Sequence, residues 1–282
     1  MVRKIVCAVV VAGGASLSMQ GVAWADQSVA PNPDRSTLVA PDKGTDSDPH
    51  LALPQWAVEG EATKFAAAVG RVHGTRIGKL PTVVDPGSQP PAAHSMAGKQ
   101  QDQITSYYCG PAAVSEALAH LGISASQSTV ATQLRTTGDG TAWSGVNANV
   151  STAKTGYPVP DVLNYHLRNS SLRYYPVGYG SATSTVIANF KTRAVADISA
   201  ADPVIGDAWE TSSSAYHLVG HPRDRTIFHW YTMFGYSSSG SSITYEDSAH
   251  SSQVSWGSGV PEYSTLAATK LATINAGRGY VW

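Results

Sequence analysis

Apolar positions fall into distinct regimes along the chain. Ile5 to Ala15 is one short apolar run behind Arg3 and Lys4, whereas Asp26 to about His50 is mostly Pro, Ser, Asp and Thr with few large apolar residues. Trp56, Phe65, Val69 and Val72 then stand at near-helical spacing, which predicts one amphipathic helix over Trp56 to Val72. Pro81 to Gly98, with Pro81, Pro86, Pro90 and Pro91, has the composition of a linker. From about Gln100 to Trp282 helical and strand periods alternate with turn signals, and this is the expected compact domain.

Within that domain a helix is predicted from Cys109 to Gly122, with Val114, Leu118 and Leu121 on one face. Pro111 suits its first turn, where the missing N–H costs nothing, and Gly122 is a C-terminal stop. Further helices are expected over Ser126 to Leu134, Pro160 to Arg168 and Thr185 to Ile198. Pro203 to Trp209, Thr226 to Tyr236 and Ser241 to Asp247, rich in Ile, Val and aromatics, read as strands. Helices followed by a sheet is an α+β order.

The opening run reads as an export signal rather than a membrane span. It is interrupted by Gly13 and Gly14, is shorter than the roughly 20 residues a bilayer requires, and leads to the small-residue site Ala23-Trp24-Ala25. Cleavage after Ala25 predicts an export signal over residues 1–25, a leader over 26–99 that is a candidate pro-segment with one helix covering the cleft, and a catalytic domain over 100–282, in a secreted protein without a permanent membrane anchor. Charge narrows the partners: 19 Lys+Arg against 20 Asp+Glu leave no surplus to neutralise phosphates, which argues against nucleic acid. A hydrophobic share of 42% is enough for a core and excludes wholesale disorder.

Cleavage also alters the cysteine arithmetic. Of 2 cysteines, Cys7 leaves with the signal and Cys109 stays, so no internal disulfide can form. Cys109 opens its predicted helix, where unsatisfied N–H groups and the helix dipole favour an anion, the setting of an activated thiol nucleophile. A nucleophile needs a base. Phe228 to Tyr236 and Ser241 to Asp247 flank the turn Ser237-Ser238-Ser239-Gly240, and centring a hairpin near Ser238 sets His229 opposite Asp247, with Glu246 on the other face. Opposed residues hold their Cβ atoms roughly 4.5–5.5 Å apart. There a carboxylate can orient an imidazole and stabilise its cation. Each residue alone has an ordinary reading: a cysteine packed as a small hydrophobe, a satisfied core histidine, a strand-ending aspartate.

Gln103-Ile104-Thr105-Ser106-Tyr107-Tyr108-Cys109-Gly110-Pro111-Ala112 resembles the nucleophile motif of the papain-like, bacteriocin-processing (double-glycine) cysteine peptidase family and its stand-alone secreted relatives. His229-Trp230 with Gly235-Tyr236 is similar to the family's second motif, and Tyr245-Glu246-Asp247-Ser248 to its third, where the family more often carries Asp-Pro. The resemblance runs over about Gln100 to Ala249 and implies a papain-like α+β fold. It further implies Cys109 as nucleophile, His229 as general acid/base, Asp247 as its orienting residue and Gln103 as an oxyanion donor. Peptide substrates cleaved after small residues such as Gly-Gly, and no cofactor, are implied with them. Ser248 in place of Pro, and Tyr107 and Tyr108 before the cysteine, depart from the pattern without removing a catalytic group. Gln101, eight residues before Cys109, is a substitute donor should the register differ.

Metal binding competes weakly. His217 and His221 are four apart, but no Glu follows the first, and Gly220 and Pro222 oppose the helix that would align them. Gly138-Asp139-Gly140 lacks the Gly-Lys-Ser/Thr of a phosphate loop. A transpeptidase or amidase on the same fold needs the same groups, and a non-catalytic cell-wall binding module lined by Trp143, Tyr157, Tyr174, Tyr175, Tyr179 and Trp209 is the reading from outside enzymology.

Overall fold

The computed structural model describes residues 51–74 and 89–282; the expected export signal (residues 1–25), the leader up to residue 50 and part of the proline-rich linker lie outside the described residues. Helices α1 (Gln55–His73), α2 (Cys109–His120), α3 (Gln127–Leu134), α4 (Pro158–His166), α5 (Ser184–Ser199) and α6 (Ala268–Ile274) surround an antiparallel sheet. Its strands are β1 (His94–Ser95), β2 (Pro176–Gly178), β3 (Val204–Glu210), β4 (Ile227–Ser237), β5 (Ser242–Glu246), β6 (Tyr263–Ala267) and β7 (Gly279–Val281). The order across the sheet is β2-β7-β3-β4-β5-β6, with β1 pairing at the end of β4. This is an α+β fold, although β1 and β2 precede α5 in the chain, so helices and strands interleave instead of following in two blocks.

Local chemistry accounts for the helix starts. Ser126 and Thr183 precede α3 and α5, and their side chains accept from Thr129 N and Val186 N, each at 3.2 Å. Pro158 and Pro160 occupy the first turn of α4, and Pro111 that of α2, where no N–H is required. Among the described residues two large buried clusters form most of the core, with a small third of Ala249, Val254 and Val260. Val114, Leu118, Val130, Leu134 and Leu163 pack around Trp143 and Trp230, while Phe190, Ile198, Leu271 and Ile274 pack around Tyr231, Met233, Tyr280 and Trp282. The sheet thus carries α2, α3 and α4 on one face and α5 and α6 on the other.

The β4–β5 hairpin departs from the expected register. Thr232 faces Glu246 and Met233 faces Tyr245, then a bulge between Met233 and Gly235 shifts the pairing so that Ser237 faces Ser242. The connecting turn holds Ser238, Ser239 and Gly240 at φ 50°, 52° and 82°. His229 pairs with Ala208 of β3, and β5 ends at Glu246, so His229 and Asp247 are not a directly opposed pair. Extending the Thr232–Glu246 pairing by one residue puts Tyr231 opposite Asp247. The displacement is therefore two residues, and an even slip keeps both side chains on the same face.

Helix α1 packs on α5 and the C-terminal Trp282. Its Lys64 Nζ meets Asp197 Oδ2 at 2.7 Å, Glu61 takes Arg193 at 2.7 Å, and the Phe65 and Trp282 rings meet edge to face at 6.2 Å. These partners belong to the α5 face, not to the face that carries α2.

Candidate active site

Cys109 is the first residue of α2 and is buried. The helix lies along β4 in a defined direction: Thr232 Oγ1 lies 3.1 Å from Ala113 O and 2.9 Å from Glu116 Oε2, its single O–H shared between them, and the Phe234 ring stacks on His120 at 5.6 Å. Moving back along both elements brings the start of α2 to Trp230, which shares a buried cluster with Cys109. Trp230 Nε1 donates to Thr141 O at 3.1 Å, and Thr141 itself packs over Gly110. The nucleophile candidate therefore sits at the His229 end of β4.

His229 is fully buried, with Nε2 2.8 Å from Asp247 Oδ1. Asp247 follows β5 directly. Its backbone N–H donates to Glu262 O at 3.0 Å, and its Oδ1 also accepts from Ala249 N at 2.9 Å, so the turn after the strand fixes the carboxylate. The other oxygen, Oδ2, lies 3.1 Å from His221 Nε2, and His221 Nδ1 lies 2.8 Å from Glu210 Oε2 at the end of β3. A continuous buried line of charge runs Glu210, His221, Asp247, His229.

Electrostatics in this line are dominated by the mutual pairing. Burial pushes against the charged form of each group, and the neighbours outweigh it. His229 and His221 hold the Asp247 carboxyl far below the usual carboxylate range, and His221 chiefly holds Glu210 down to about 2. Glu210 and Asp247 together raise His221 to about 9. The ring of Trp256 lies edge-on to His221 at 4.6 Å and that of His229 at 5.1 Å, so aromatic rings flank the His221 imidazole.

Gln103 is buried in the strap that leads into α2. Its Nε2 donates to Thr105 O at 2.8 Å, its Oε1 accepts from Ser248 at 3.4 Å, and its backbone N–H donates to Ser248 O at 3.0 Å. The same strap is held by two buried carboxylates, Lys99 N to Glu246 at 2.8 Å and Gln101 N to Glu116 at 3.0 Å. Gln101 thus meets this region through its backbone. Glu246 points away from Asp247, toward His120 at 2.9 Å. Burial, reinforced by Glu246, drives Glu116 well above the usual carboxyl range.

His221, His229 and Asp247 offer donor atoms within 4.8 Å of one another. Those atoms already face each other at hydrogen-bonding distance, and the far nitrogen of His221 faces Glu210, so a cation there would displace established pairs. His217 and His221 converge on Glu210 Oε2, at 3.6 and 2.8 Å, from a loop rather than a helix. In the sequence His221 stands out only as a metal candidate, four residues from His217, and Glu210 carries no signal. Nothing in periodicity links residues from a strand end and a loop to Asp247; the only signal is that a buried carboxylate has a second oxygen to be satisfied by a donor besides His229.

A family model described as the peptidase C39-like family matches residues 96–265. No curated protein matches the chain. Among solved structures it is similar to xylellain, a cysteine protease from Xylella fastidiosa, at 11% identity and a TM-score of 0.41, over 87% of this chain and 94% of the other.

Proposed function

Since the chain belongs to the peptidase C39-like family, matched over residues 96–265, and is a cysteine-type peptidase, we propose that it is a secreted enzyme that hydrolyses peptide bonds through Cys109, His229, Asp247 and Gln103. The observation that supports this reading is the 2.8 Å pairing of His229 Nε2 with Asp247, next to Trp230, which shares a buried cluster with Cys109. With Nε2 on Asp247, the Nδ1 edge of the imidazole serves the thiol. The Cys109 thiolate attacks the peptide carbonyl, and the oxyanion takes hydrogen bonds from the Cys109 backbone N–H and from the Gln103 amide N–H not used on Thr105 O. The C–N bond then breaks as His229 passes its proton to the leaving amine, leaving a thioester. Water, deprotonated by His229, attacks the thioester, releasing the acid and restoring the thiol.

Secretion rests on the residues before Asp26, and the resemblance to double-glycine peptidases points to small residues ahead of the scissile bond. The test is the rate of Cys109 alkylation by iodoacetamide against pH on the protein lacking residues 1–25. Fast alkylation that persists well below pH ~8.5 is expected from a preformed thiolate. His229→Ala should slow alkylation at neutral pH and lower peptide turnover about 10²–10⁴-fold, and Cys109→Ala should abolish both. Unchanged alkylation in His229→Ala would refute the base assignment.

A further inference from the structure

Asp247 is braced from behind. Its Oδ2 faces His221 Nε2 at 3.1 Å, and the other nitrogen of the same ring faces Glu210 Oε2 at 2.8 Å. A carboxylate oxygen only accepts, so an imidazole with a carboxylate on each nitrogen must carry a proton on both. The ring is therefore a fixed cation, buried and clamped between strand ends, and its centre lies 5.1 Å from that of His229. Leu218 N also donates to Glu210 Oε1 at 2.5 Å, which orients Glu210 toward the loop that carries His221.

Building on the proposed roles of Cys109, His229 and Asp247, we infer that Glu210 and His221 form a second carboxylate–imidazole pair that positions Asp247 and sets the pH range over which the Cys109–His229 couple is charged. The positioning follows from geometry: Oδ1 serves His229, and Oδ2 is held so that the carboxylate cannot rotate out of line. The pH effect follows from sign. A cation beside the couple favours the thiolate and disfavours the His229 imidazolium, so it moves both ionisations to lower pH. Consistent with a permanent cation, His221 is raised to about 9. The groups around it are Glu210 from β3, His229 from β4, Tyr245 and Asp247 at the end of β5, and His217 from its own loop; Arg223 and Lys270 line the same small cavity of about 220 Å³.

The experiment compares parent, His221→Gln, Glu210→Gln and His229→Ala by iodoacetamide alkylation from pH 4 to 10, with ¹⁵N-histidine NMR titration of the same proteins. His221→Gln retains an amide donor toward Asp247 but no charge, so both limbs of the alkylation profile should move upward, the His229 limb by about two pH units, the order expected for a unit charge 5.1 Å away in a medium of effective dielectric near 20. Partial misalignment should lower kcat on peptide about 10–100-fold with KM little changed, as with partners that orient a histidine from behind. A merely structural role would lower stability and leave the limbs in place. If His221→Gln does not fold, Glu210→Gln keeps an acceptor against Nδ1, and the His221 titration should fall below its parental value near 9. A His221 that is neutral at pH 7 in the parent, or limbs that stay put in His221→Gln while His229→Ala is impaired, would overturn this inference alone. Parental alkylation in His229→Ala would overturn the site reading and this inference together.

Discussion

Gly110, next to Cys109, has no room for a side chain. An added Cβ would lie 2.3 Å from Thr141 Oγ1 and 2.5 Å from Thr141 Cβ. Thr141 is not easily moved, because its Oγ1 pairs with Thr136 at 2.7 Å and its carbonyl takes the Trp230 indole N–H at 3.1 Å. One residue thus links the start of α2 to the neighbour of His229. Gly110→Ala is expected to destabilise the fold by about 1–3 kcal/mol, the usual cost of overpacking, and to slow Cys109 alkylation as α2 and Trp230 move apart. Denaturant midpoints and iodoacetamide rates measure the two effects. Parental values for both would mean that Thr141 yields without consequence.

At the level of elements, α1 raises a choice between brace and lid. Most of its polar and aromatic partners lie on α5 and at Trp282, where the Arg193 guanidinium sits 3.9 Å over the Phe65 ring and Lys64 lies 4.5 Å over the Trp282 ring, while Lys64 also reaches Arg173 O at 3.1 Å and the Tyr174 ring at 5.2 Å. That packing makes α1 a clamp on the chain's last strand, β7, which lies inside the sheet between β2 and β3. Phe65→Ala removes the edge-to-face and cation–π contacts of a half-buried ring. We expect a loss of about 2 kcal/mol in unfolding free energy, with the alkylation rate of the folded protein unchanged. A faster alkylation rate in this variant would instead mean that α1 shields Cys109, as an inhibitory leader would.

For the whole molecule, buried ionisable groups set a pH profile whose sign can be worked out. Glu210, lowered to about 2, and Asp247, lowered further, contribute stability that is present above about pH 4.5 and lost as pH falls. His221, raised to about 9, contributes stability that is complete below about 6.5 and lost as pH rises through 9. Burial raises Glu116, Asp197 and, to about 6, Asp202, so each is more easily ionised in the unfolded chain and subtracts stability as pH climbs. Thermal melts from pH 4 to 10 should therefore peak between about pH 4.5 and 6.5 and decline toward pH 9, with a shallower decline in His221→Gln. A midpoint that stays level or rises from pH 6.5 to 9 would contradict this balance.

The amino-acid sequence alone determined the features whose causes are local. The start of α2 at Cys109, helices α3 to α5 and strands β3 to β5 were legible to within two residues, because caps, first-turn prolines and apolar periods act over a turn or a few residues. The candidate site was named from the sequence as well: Cys109 by its place at a helix start, His229 and Asp247 by the hairpin that flanks Ser238, and Gln103 by the family resemblance. Tertiary structure decided what depends on distant partners. Strands β1, β2 and β7 hold two or three residues each, too few for a period, and exist only because β4, β7 and β3 supply hydrogen bonds from far along the chain. The turn set the hairpin three residues from the expected register and the bulge between Met233 and Gly235 took one of them back, and Asp247 reaches His229 from beyond its strand. Glu210 and His221 look like any surface acid and loop histidine in the sequence. Folding removes them from water, and a buried charge persists only beside its counterpart, so their role was set by the long-range packing that joined them to Asp247.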